Sequence, residues 1–293
     1  MTIHVPRFVT VLAATLAFGA AAFAQTPKVR FPQPSPSASL KQQVGIADIE
    51  ISYNRPSVKG RKVFGELAPF GEVWRTGANN ATRFKVSSDF TFGGVAVPAG
   101  EYALFSIPDQ NEWTVILNKN TKQWGSYTYD QANDVARVKA KPVTLSNPVE
   151  TFTIDLNDLR DESATLNLTW DKTRVPVKLE FAVTAEVQKQ IEAAIAGSEK
   201  PDAGLQFQAA LFYLEHDLDL NKAEQWVAEA IKAQPDAFYM YYHQARILAK
   251  KGDKAGALAA ARTSMEKAKT SNMGGVKEEY TRLNERLIQS LGQ

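Results

Sequence analysis

Apolar side chains recur at every second position from about residue 40 to 185, and at about every 3.6 positions from 186 onward. No single kind of element satisfies both periods, so the chain must fold as a β region followed by an α region. In the first part, IADIEISYN (46–54) sets Ile49, Ile51 and Tyr53 against Glu50, Ser52 and Asn54. The stretches 83–88, 90–97, 101–107, 112–118, 134–143, 151–156, 164–170 and 175–183 repeat that alternation. Gly93-Gly94, Pro98-Ala99-Gly100 and Asn157-Asp158 supply turns between them. Short strands at this spacing predict an antiparallel β-sandwich of jelly-roll type over residues 40–185.

The second part, 186–293, predicts a helical domain. Candidate helices are 186–197, 204–217, 221–233, 237–251, 253–269 and 276–291. Ala223 and Ala257 stand one 34-residue period apart, as do Leu214 and Leu248, and Phe207 and Tyr241. That period is the tetratricopeptide spacing, with small residues where paired helices approach closely. Two such hairpins and a trailing helix make a short array, suited to packing on the sandwich or on a protein partner.

The N-terminus reads as an export signal over residues 1–24. Arg7 precedes an apolar stretch at 8–22, and Ala22-Phe23-Ala24 gives a small-x-small cleavage pattern. Residues 25–39 carry Pro27, Pro32, Pro34 and Pro36 and are expected to form an extended linker. The expected product is periplasmic or extracellular, with no membrane span after cleavage.

Composition removes several chemistries. The chain has no cysteine, and its three histidines are His4, His216 and His243, none of them in the β region. A Ser-His-Asp or Cys-His nucleophile and a His- or Cys-ligated zinc site are therefore excluded from that region. No phosphate-cradling loop or dinucleotide fingerprint is present, so no cofactor is called for. The acidic stretch DLNDLRDE (155–162) lacks the glycine and spacing of a calcium loop, and no metal is expected. A net charge of +2 over 293 residues argues against nucleic acid.

Charge is concentrated in one place. Residues 55–85 hold Arg55, Lys59, Arg61, Lys62, Arg75, Arg83 and Lys85 against only Glu66 and Glu72. Two arrangements satisfy this pattern. In one, Arg55, Lys59, Arg61, Arg75 and Asn79 converge on a small anionic or sugar-like ligand. In the other, Arg75 pairs with Glu72, Glu101 or Asp134 and pins a long loop, with Trp74 and Phe64 plugging the end of the sandwich. Trp124, Tyr127 and Tyr129 lie in a polar connection, 121–130, where aromatic faces either stack on a sugar or cover the core edge. Trp124 joins the candidate ligand set.

Several of these motifs together have a counterpart. Tyr53-Asn54-Arg55-Pro56-Ser57-Val58-Lys59-Gly60-Arg61, Trp74-Arg75-Thr76-Gly77-Ala78-Asn79, Pro98-Ala99-Gly100-Glu101-Tyr102 and Trp124-Gly125 closely resemble the bacterial family known as domain of unknown function 2911. The resemblance covers about residues 36–183. It implies an exported protein with a helical tail, and brings no activity and no catalytic residues. The expected function is a non-enzymatic binding or envelope-associated module. The alternatives are a carboxylate-dependent glycan hydrolase, with Glu66, Glu72, Glu101 and Asp134 among its acids, and a scaffold acting through the helical tail.

Overall fold

The computed structural model describes residues 31–270 and 274–292. The expected signal peptide (1–24), His4 and the first part of the expected linker (25–30) lie outside the described residues. The strands are β1 (Ser37–Val44), β2 (Ala47–Asn54), β3 (Thr82–Val86), β4 (Phe90–Phe92), β5 (Val95–Val97), β6 (Gly100–Ile107), β7 (Trp113–Asn118), β8 (Asp134–Ala140), β9 (Val143–Arg160) and β10 (Ser163–Glu180). The helices are α1 (Val183–Ala196), α2 (Ala203–Glu215), α3 (Leu220–Ala233), α4 (Phe238–Lys251), α5 (Lys254–Lys269) and α6 (Gly274–Leu291).

The strands form two antiparallel sheets, ordered β1-β2-β3-β6-β7-β8 and β5-β4-β10-β9. Their facing side chains make one core. Ile49, Ile51, Phe84, Leu104 and Leu117 of the first sheet meet Phe92, Ile154, Leu166, Leu168 and Leu179 of the second. The alternation read in the sequence is the pattern that buries these residues and leaves Asp48 and Lys85 outside. The six-stranded sheet has a second, smaller core on its outer face, where Ala81, Ala103, Phe105 and Ile116 are covered by the half-buried Tyr129. For that reason β7 is buried on both faces.

Several boundaries differ from the sequence reading. The expected strand 151–156 extends over all of β9, so that Asn157-Asp158, expected as a turn, lies within the strand, where Asn157 pairs with Thr165. β1 begins at Ser37, inside the stretch expected to be linker. It is an edge strand in which Val44 is the one fully buried residue, so its apolar alternation is faint. The expected strands 164–170 and 175–183 are one continuous strand, β10, with irregular register at Thr169–Thr173 in place of a turn. Pro176 lies within it, past the β9 pairing that ends at Arg174 and before the β4 pairing that begins at Leu179, where no ladder N–H is required.

The helices pack as consecutive hairpins, α2 on α3 and α4 on α5, with α6 trailing. Ala223 and Ala257 are fully buried in their respective hairpins, as the 34-residue period requires. Side chains of Asp202, Asp219 and Asp253 cap the N-termini of α2, α3 and α5. α1 lacks a side-chain cap of its own. Its Thr184 N–H donates instead to Glu162 Oε1 in the β9–β10 turn, at 2.7 Å. Gly45 (φ +56°) fits the same junction, because a β-carbon there would stand 2.3 Å from Asp161 O. The helical domain is thus tied to one end of the sandwich. No described helix is long and apolar enough to cross a membrane.

Candidate functional site

The basic segment is the long connection between β2 and β3, and it is fastened in two different places. Its first part lies on β9. Arg55 Nε donates to Phe152 O at 2.9 Å, and Nη2 to Thr153 Oγ1 at 2.7 Å. Ser57 bridges to Thr151, and the backbone N–H of Lys59 (φ +49°) donates to Glu150 Oε1 at 2.9 Å. Arg61 folds back on its own loop, donating to Ser57 O at 2.6 Å and Val58 O at 3.1 Å. Arg55 and Arg61 therefore spend donors on backbone carbonyls where the loop crosses the sheet edge.

The middle of the connection enters the core. Trp74 is buried, stacked on Trp170 (centroids 5.8 Å, 16°) and edge-on to Trp113 and Phe152. Its backbone pairs with Ser106 of β6, beyond the point where β3 ends, and its indole N–H donates to Gly77 O at 3.1 Å. Phe64 packs edge-on against Trp74, Trp113 and Trp170. These residues hold the loop and offer no face to a ligand.

The last part builds the candidate site. Asn79 (φ +58°) accepts from Gly125 N–H at 2.9 Å, and Ala81 N–H donates to Gln123 O at 3.1 Å. This short ladder sets Arg75 and Asn79 beside the 121–130 connection. Gly125 (φ +73°) is the closest point. A β-carbon there would lie 2.6 Å from the Tyr127 ring and 2.9 Å from Arg75 Nη1. The turn folds Trp124 and Tyr127 onto one another, with ring centroids 5.6 Å apart and planes at 22°. The two rings are 63% and 75% exposed. Asn79 and Asn80 are exposed next to them.

The ion pairs expected for Arg75 do not form. Glu101 is taken by Arg83, its diagonal neighbour across β3 and β6. Asp134 is taken by Arg137 at 2.8 Å, and Glu66 by Lys62 at 3.7 Å. Among the described residues Arg75 has no carboxylate partner, and its Nε is buried without a hydrogen bond. Among the same residues Arg55 and Arg61 also lack an acid but spend their donors on carbonyl and hydroxyl oxygens, which leaves Arg75 as the arginine of the segment with its fork uncommitted.

Asp134 is the hub that fixes the platform's connection. Its side chain is 6% exposed and accepts from Tyr129 Oη (2.6 Å), Arg137 Nη1 (2.8 Å) and Asn118 Nδ2 (2.7 Å). Burial, with the Asp134 carboxylate next, pushes the Tyr129 hydroxyl up to about 12. Tyr129 in turn packs edge-on against Phe105 in the outer core.

The candidate residues therefore separate into Arg55, Lys59 and Arg61 on the β9 side, and Arg75, Asn79 and Trp124 at the 121–130 connection. Tyr127, named in the sequence with Trp124 as a stacking aromatic but left out of the ligand set, and Asn80 belong with the second group. The signal for Tyr127 was the spacing in Trp124-Gly125-Ser126-Tyr127, a glycine turn that brings residues three apart together, whereas Asn80 is placed by its bridge to Trp124, which no local pattern encodes. Glu66, Glu101 and Asp134 are each engaged by a different cation, and no group of three His, Asp or Glu side chains among the described residues could hold a metal ion.

No curated protein matches the chain. A solved structure with similarity is the solution structure of protein BPP2914 from Bordetella parapertussis. It is 22% identical, covers 36% of this chain and 89% of that one, and superposes with a TM-score of 0.31, too low to carry an argument. Residues 35–179, which span the described sandwich almost end to end, match the family model described as "Protein of unknown function (DUF2911)", and the chain belongs, through its β domain, to that family.

Proposed function

We propose that the protein is an exported, non-enzymatic binding module whose sandwich presents a small-ligand site formed by Arg75, Asn79, Trp124 and Tyr127. The observation that carries this reading is Arg75. A guanidinium without an internal acid stands beside two stacked aromatic rings that are largely in solvent. Large aromatic side chains left in water are costly unless they serve contact, and an unpaired arginine supplies a directed donor for an anionic or polar group. Arg55 and Arg61 support the scaffold by anchoring the loop to β9 and to itself. The helical domain, docked at the Gly45–Asp161 junction, serves as the attachment to a protein partner.

The test is a fluorescence titration of the full chain against small anions and oligosaccharides, with Trp124→Phe as control. Trp74, Trp113, Trp170 and Trp226 are buried, so a ligand at the platform quenches Trp124 alone and its signal disappears in the variant. If every quenching ligand behaves identically in Trp124→Phe, or none quenches, the platform is not the site.

A further inference from the structure

Resting on that reading, we infer that the ligand is an acidic polysaccharide, bound through one uronate residue whose ring lies on the Trp124–Tyr127 platform and whose carboxylate meets Arg75. The first argument is how many cations are available. Arg55 and Arg61 donate to backbone and hydroxyl oxygens, and Arg83 and Arg137 are paired with Glu101 and Asp134. One guanidinium remains at the platform, with the exposed Lys122 as a further cation in the same connection. A single planar fork carries one positive charge and matches a single planar carboxylate in both charge and shape, whereas a phosphate dianion would keep a net negative charge against it.

The second argument is shape. Trp124 and Tyr127 are among the large apolar side chains left mostly in solvent. An exposed ring can touch one face of a sugar and leaves both of its glycosidic links free, so the chain of a polymer can run on in either direction. A free monosaccharide or a nucleotide is held by enclosure, which this surface does not provide. The apolar C–H face of a pyranose covers an outward face of the stacked pair, and its hydroxyls face the exposed amides of Asn79 and Asn80 that flank the same turn.

The third argument is the Gly125 turn. It brings the Arg75 guanidinium and the Tyr127 ring within 2.9 Å of the same point, the place a Gly125 β-carbon would occupy, so the cation stands close beside the stacked pair. A carboxylate on the ring carbon next to a glycosidic link projects from the edge of the sugar, in the ring plane. Cation and stacking face are therefore arranged as an acidic sugar presents its own two features.

The experiment is calorimetric titration of the full chain with tetragalacturonate, its neutral methyl ester and inorganic phosphate, repeated with Trp124→Ala, Tyr127→Ala and Arg75→Gln. The acid oligomer is expected to bind at least about tenfold more tightly than the ester, a difference one charge-assisted contact supplies. Phosphate should not compete. Trp124→Ala and Tyr127→Ala, on exposed rings that leave the fold intact, should each weaken acid-oligomer binding about tenfold or more. Arg75→Gln should erase the preference for acid over ester. Equal affinity for acid and ester overturns the uronate assignment while leaving the platform in place. Phosphate competing with the oligomer, unchanged by Trp124→Ala, overturns the sugar. Binding of neither oligosaccharide, with quenching by some other ligand in the titration above, overturns the ligand class without touching the binding module itself.

Discussion

Arg75 Nη1 lies 2.9 Å from the place a β-carbon on Gly125 would occupy, and the Tyr127 ring lies closer still, at 2.6 Å. Gly125 is therefore the keystone of the platform. Gly125→Ala must displace both Tyr127 and Arg75 and also hold alanine at φ +73°. The strain costs about 1 kcal/mol, so the melting temperature should fall by about 2–4 °C. The larger effect should be on ligand binding, because Tyr127 is the exposed neighbour and moves more easily. A variant with normal Trp124 quenching would show that the rings do not need this turn.

A second expectation concerns the hub behind the platform. Asp134→Asn keeps the shape and removes the charge that Arg137 and Tyr129 share. Leaving Arg137 half-buried without its acid should cost about 2–3 kcal/mol. Tyr129 should also ionise more readily, since Asp134 is one of the causes holding its hydroxyl up at about 12. Ultraviolet titration of Asp134→Asn against Tyr129→Phe checks both parts. An unaltered alkaline titration would mean that burial alone sets the tyrosine.

The helical domain should weaken in acid in two separable steps. His243 packs against Phe207, Tyr242 and Tyr280, and burial, helped by Arg246, pulls its pKa down to about 4 from 6.5. A folded-state pKa below the unfolded value means stability that is complete above pH 6.5 and lost as pH falls through 4. The loss amounts to about 3 kcal/mol by linkage. His243→Phe keeps the ring contacts and should flatten that limb. An unchanged pH dependence between 6.5 and 4 would show that the imidazole is already free to charge in the fold.

Glu192 acts lower. Lys222 (2.7 Å) and Tyr213 (2.9 Å) both donate to its Oε1, joining α1 to α2 and α3, and they hold its pKa at about 2 against an ordinary 4.5. Here too the folded pKa is depressed, so the contribution is present above about pH 4.5 and disappears as pH falls toward 2. Glu192→Gln should narrow the difference in melting between pH 5 and pH 2.5, leaving the share of other depressed acids such as Glu162. Because Glu192 and Lys222 are both well exposed, added salt should shrink the wild-type difference as well.

The alternation that made β2, β3, β6 and β7 legible is a direct trace of a two-sided sheet, and so those strands stand where the sequence placed them. β1 escaped because an edge strand buries little. β10 was split because the alternation of apolar residues lapses from Asp171 to Arg174, where the strand's register is irregular and its pairing partner changes. At the site, the sequence counted charges without assigning partners. Arg83 finds Glu101 only because β3 and β6 pair in a register that sets them diagonally, and Asp134 reaches Arg137 within β8. Which arginine was left over depended on those registers, which no local pattern in 55–85 encodes.

The division of labour among the arginines gives the last prediction. Arg55→Lys keeps the charge and loses the fork that reaches Phe152 O and Thr153 Oγ1 together. It should cost about 1–2 kcal/mol of stability and leave ligand affinity within about twofold. Arg75→Gln should do the opposite. Its Nε is already without a partner, so removing it breaks no internal hydrogen bond and the melting temperature should hold, while affinity for an anionic ligand drops. Comparing the two variants by thermal melts and by titration separates anchoring from recognition. A large loss of stability in Arg75→Gln, with binding intact, would assign Arg75 to the scaffold alongside Arg55 and leave the exposed rings as the whole of the site.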